Sequence, residues 1–175
     1  MSSDGTSTAG DCAELLEALA HHRSLLRYTV RGLDDEQATQ RTTVSELNLG
    51  GLIKHVSQVE QIWMNFVVEG TDAVRGGPVD GTGAGNRRKE FTLREDETLA
   101  GVLERYARVA ERTDKIVSAL PDLDVSHPLP EAPWFVPGSR WSARRVLLHI
   151  IGETAQHAGH ADIIREALDG SRTMG

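Results

Sequence analysis

The sequence predicts an all-α fold, a four-helix bundle with long crossover connections. Four stretches of about 20 residues repeat apolar side chains at helical spacing, polar or glycine-rich segments separate them, and no stretch alternates with a period of two for long enough to make a strand. The 175 residues fit one domain, and a chain of this length can bury a self-sufficient core without disulfides.

Residues 1–10 are small and polar and are expected to form a disordered tail ahead of a single domain over 11–170. The first helix is expected over 11–31, where Leu15, Leu19, Leu26 and Val30 recur with Leu16 and Leu25 beside them, until Gly32. Asn48 is a good N-cap for a second helix over 49–69, whose stripe is Leu52, Val56, Val59, Ile62, Trp63, Phe66 and Val67, with Gly70 as its C-cap. The glycine-rich stretch that follows reads only as a loop, and its length suits a crossover. A third helix is expected over 96–120, with Leu99, Leu103, Tyr106, Ala110, Thr113, Val117 and Leu120 inward and Pro121 at its end. After a proline-rich connection, Ser142 can cap a fourth helix reaching Leu168 ahead of Gly170, leaving 171–175 as a tail.

Nineteen basic against twenty-six acidic side chains give a net charge of −7, the wrong sign for a protein that neutralises phosphates. No apolar run is long enough to span a membrane, and the first residues have neither a basic region nor an apolar core, so a cytoplasmic protein is expected. Cys12 is the single cysteine and reads as a bystander thiol, in keeping with a reducing compartment. His22 reads as a core histidine, His21 as solvated and His127 as a loop residue. Trp63, Trp134 and Trp141 read as packing residues rather than substrate platforms, although Trp134 sits in a loop that could cover the bundle mouth. Arg87, Arg88 and Lys89 read as a solvated loop.

The fourth helix carries the chemistry. At roughly 100° per residue, with His149 at zero, Glu153 falls near about 40°, His157 near about 80° and His160 near about 20°. Val146, Ile150 and Ile164 share that face, so ionisable groups stand in an apolar seam, where each would cost several kcal/mol if left unpartnered. A divalent cation meets that need. Glu153 and His157 are one turn apart, as chelation from a helix requires, and His55 is the histidine on the inward stripe of the second helix. The inferred metal site is therefore His55, Glu153 and His157, with positions open for water or substrate. Two imidazoles and a carboxylate suit zinc first, with nickel, manganese and iron as alternatives. His160 is a fourth ligand, a proton-transfer group beside the open position or a supporting hydrogen-bond partner; the catalytic proton-transfer role is the one adopted. His149 reads as a support to Glu153.

At GLIKHVSQVEQIW and HIIGETAQHAGHADIIREALDG the chain resembles the DinB-like superfamily of metal-binding four-helix bundles, and within it the actinobacterial members related to mycothiol-dependent enzymes. The resemblance implies a divalent metal held by a histidine of the second helix and two groups of the last, positions matched here by His55 and His157. Glu153 stands where many members have a histidine, and this is similar to the maleylpyruvate isomerase branch.

The expected function is a metal-dependent enzyme using a low-molecular-weight thiol, mycothiol by resemblance, in a transferase or isomerase reaction on a small electrophile. A metal-dependent hydrolase at the same site and a non-catalytic metal or small-ligand binding protein are the alternatives. The expected partner is a small-molecule substrate, with neither nucleic acid nor membrane, and the bundle is compatible with a homodimer.

Overall fold

The computed structural model describes residues 4–74 and 90–173, with side chains from Gly10 onward. Among these residues it contains five α-helices: α1 (Asp4–Tyr28), α2 (Asp35–Thr39), α3 (Leu49–Glu69), α4 (Leu99–Ala119) and α5 (Ala143–Asp169). Strands β1 (Ser126–Pro128) and β2 (Arg140–Ser142) pair antiparallel, with His127 opposite Trp141. The four long helices form the bundle, so the fold is the all-α one expected.

The capping signals act where they were expected. Asn48 Oδ1 accepts from Gly51 N at 2.8 Å and Ser142 Oγ from Arg145 N at 3.2 Å. Gly70 and Gly170 end their helices at φ +79° and +78°, where a side chain would be strained. α4 starts later than the periodicity suggests, because the Thr98 side chain takes the N-cap and accepts from Gly101 N. It stops at Ala119 because Leu120, which precedes Pro121, is extended.

Four expectations need correction. α1 begins at Asp4, so residues 4–10 belong to the helix and not to a disordered tail; residues 1–3 lie outside the described ones. Asp11, near that start, is bridged to Arg144 of α5 at 2.8 Å, and a glycine costs only about 1 kcal/mol in an exposed helix. The α4 core stripe is Leu99, Val102, Tyr106, Val109, Thr113 and Val117, with Val102 and Val109 in place of Leu103 and Ala110. His22 is half-buried, edge-on to His21; its neighbour Arg23 enters the core instead. A strand ribbon exists, each strand only three residues long, too short to show alternation.

Two apolar clusters fill the bundle. One joins Leu26 of α1 to Leu52, Val102 and Ala158; the other joins Leu19 to Trp63, Val117 and Leu147. The order along each helix makes α1 and α5 parallel to each other and antiparallel to α3 and α4. The chain must therefore cross the length of the bundle between Gly70 and Thr98. Residues 75–89 of that span, including Arg87, Arg88 and Lys89, lie outside the described residues.

Between the clusters sits a polar layer. Glu60 of α3, fully buried, accepts two hydrogen bonds from the Arg23 guanidinium and one from Thr113 Oγ1 at 2.6 Å. Arg23 also donates to Asp114 at 3.0 Å. Burial alone would lower the Arg23 pKa, but its two carboxylate partners raise it overall.

Candidate metal centre

His55 lies on α3, and Glu153 and His157 lie one turn apart on α5, the helix packed beside it. The three residues bring one ligand atom each within 4.8 Å of one another. His157 is buried and turns Nε2 toward Glu153 Oε2 at 3.6 Å, while its Nδ1 is 3.3 Å from His160 Nδ1. The His55 ring is half-buried, stacks on Phe91 at 3.9 Å between centroids and meets His157 edge-on at 4.9 Å. It makes no hydrogen bond among the described residues.

That orphaned imidazole, facing a second imidazole and a carboxylate, fits a borderline cation such as zinc. Burial, and next the neighbouring His157, push His55 down to about 4 against the pull of Glu153. Its lone pair is thus free for a metal at neutral pH. The His157 ring holds Glu153 below the usual carboxylate range, against burial and with help from His149 and His55. The carboxylate stays ionised.

His149 sits 4.0 Å from Glu153 Oε1 on the other side and edge-on to Trp63 and Trp141. Together with His55 and Glu153 it lines a cavity of about 380 Å³. The cavity's apolar walls are Val59, Trp63, Phe91, Trp134, Phe135 and Trp141. His160 is not among the lining residues: it lies behind His157, hydrogen-bonded to its far nitrogen. The β ribbon pairs Trp141 with His127, and the loop it closes carries Trp134 and Phe135 to the mouth.

The three tryptophans thus wall a cavity as well as pack. Trp63 and Trp141 stack at 4.6 Å, and Trp134 keeps 50% of its surface exposed. The spacing of His55, Val59 and Trp63, four residues apart each time, is the signal that could have placed Trp63 at the site. Phe91 carries no such signal, because its segment has no periodicity.

The segment 90–94 lies directly on α3. A Cβ at Gly51 would stand 1.9 Å from the Phe91 carbonyl oxygen, so only glycine admits this approach. Lys54 Nζ donates to Thr92 O at 2.9 Å and to Glu97 Oε2 at 2.7 Å; Glu97 also accepts from Arg94 N and Arg105. Burial resists ionisation of Glu97, but Lys54, Arg94 and Arg105 together bring it from 4.5 to about 2. The unfolded chain then binds the proton first, so this stabilisation is complete above about pH 5 and fades as pH falls toward about 2. Urea unfolding at a series of pH values should show Glu97→Gln losing about 2 kcal/mol at neutral pH and much less near pH 3. An equal loss at both would remove the ionised network as its cause.

No helix among the described residues is long and apolar enough to cross a membrane. A search of curated proteins finds no match. A family model described as mycothiol-S-transferase matches residues 14–170, a span that takes in α3, α4 and α5, the part of α1 from residue 14 onward and every group of the cluster. With the helical architecture found, that match over most of the chain shows that it belongs to the mycothiol-S-transferase family, a DinB-like family whose function is a mycothiol-dependent transfer to a small molecule.

Proposed function

We propose that the chain is a metal-dependent transferase that joins the sulfur of mycothiol to a small apolar electrophile, with His55, Glu153 and His157 as the metal ligands. The convergence of these three groups, two of which line an aromatic cavity, carries the reading. A divalent cation, zinc by its donor set, supplies the acidity that turns a thiol into a thiolate near pH 7. Trp63, Phe91, Trp134 and Trp141 exclude water from the reacting sulfur and hold a flat apolar substrate by stacking. Sulfur then bonds to the electrophilic carbon as the leaving group departs with its electron pair, and the thiol proton passes to solvent.

His160 takes a different part from the proton-transfer role its helical position suggested. With Nε2 of His157 turned toward Glu153, His157 Nδ1–H donates to His160 Nδ1 and the tautomer that leaves Nε2 free is favoured. His149, which lines the cavity, is the imidazole placed to meet the substrate.

The test is turnover of an aromatic electrophile by zinc-loaded protein, with and without mycothiol. Conversion is expected only with the thiol. Equal conversion without it would assign the site to hydrolysis by bound water and end the transferase reading.

A further inference from the structure

The aromatic cavity lies on the face of α3 that carries His55, Val59 and Trp63. The preceding residue of each turn, Lys54 and then Gln58, faces a second cleft of about 530 Å³, bounded on its far side by Arg94, Glu97 and Arg105. Glu90 lines both spaces, and the segment lying on Gly51 divides them, Phe91 lining the first and Thr92 the second.

The two compartments differ in chemistry. In the second, Lys54, Arg94 and Arg105 stand against Glu90 and Glu97; Glu97 is hydrogen-bonded to Lys54 and Arg105, and the Arg94 guanidinium lies 3.6 Å from it and bonds Asp96. Cations matched in this way hold a free anion poorly. They offer alternating donors and acceptors, which suits a neutral molecule with many hydroxyls. Gln58 is half-buried at the centre of this wall, and its amide makes no hydrogen bond among the described residues.

Mycothiol carries its sulfur on an N-acetylcysteine arm joined to an uncharged glucosaminyl-inositol. Apolar tryptophan walls offer few partners to the hydroxyls of that unit, which would lose water there without replacement hydrogen bonds. The cavity of about 380 Å³ is also the space the electrophile needs. We infer that the cleft lined by Gln58, Glu97 and Arg105 is the subsite for the polyol part of the thiol, and that residues 90–93 keep the two substrates in separate compartments. The identity of the polyol rests on the proposed reaction, whereas its binding needs no turnover.

Calorimetry on the full chain with S-methyl mycothiol, whose sulfur cannot ionise, tests this beside N-acetyl-S-methylcysteine, the same arm without the polyol. S-methyl mycothiol should bind at least about tenfold more tightly than the arm. Gln58→Ala and Arg105→Ala should each weaken it by about five- to tenfold and leave the arm unaffected. The Gln58 amide makes no hydrogen bond among the described residues, so its variant keeps the test clear of misfolding. No binding of S-methyl mycothiol, equal affinity for the two probes, or indifference to both substitutions overturns the subsite. Displacement by millimolar inorganic phosphate overturns it too, by marking an anion site. If binding follows these expectations but mycothiol supports no turnover, the subsite stands and the transferase reading falls. If turnover requires mycothiol while the variants bind it normally, the reading stands and the subsite falls.

Discussion

His157→Ala protein, purified in zinc-containing buffer, is expected to retain less than about a tenth of the metal held by the unmodified chain, with its helical content intact. In the proposed site His157 would supply one of three ligand atoms, so its loss would leave an imidazole and a carboxylate that cannot enclose a cation. His55→Ala should behave the same way. His160→Ala removes only the partner of His157 Nδ1, and such supporting contacts change metal affinity by about 10- to 100-fold, so metal should be retained at saturating zinc and lost to a competing chelator. Metal analysis after dialysis, with and without chelator, separates these cases. If His160→Ala empties the site while His157→Ala remains loaded, the ligand assignment is wrong.

The helix that bears the proposed ligands was legible because its pattern is extreme. His149, Glu153, His157 and His160 interrupt an apolar stripe at helical spacing, and the helix bounds follow from Ser142 and Gly170. Periodicity gives the face of a helix but not the depth of a residue or which neighbour it meets. His160 shares the face of the ligands, and only the rotation of α5 against α3 decides that it points behind His157 and not into the cavity. The site's other wall was illegible for a different reason. Phe91 stacks on His55 because Gly51 lets a non-periodic segment, distant in sequence, rest on α3, a pairing with no local signature. The β ribbon is equally silent, since three residues cannot display a period. α2 left one trace, Asp34 and Gln37 forming a capping box, within a helix too short for a stripe.

Glu60→Ala should be the most destabilising single substitution in the chain, costing about 3–5 kcal/mol in urea unfolding, because it leaves the Arg23 guanidinium buried with only the half-exposed Asp114 as a partner. Two charges taken out of water are held there by three hydrogen bonds to one carboxylate, so the pair is intolerant of losing one member and tolerant of losing both. Arg23→Met combined with Glu60→Met should therefore recover most of the loss, since methionine fills the gap between the two apolar clusters with little strain. Additive losses in the double variant would mean that the two residues act independently and that the layer is no ion pair in energetic terms. Zinc affinity provides the second readout. The polar layer joins α1, α3 and α4 through Arg23, Glu60, Thr113 and Asp114 but shares no residue with the cluster of His55, Glu153 and His157. The double methionine variant should thus bind zinc as the unmodified chain does, and a large fall in affinity would show that the buried charges set the spacing between the helices that carry the ligands.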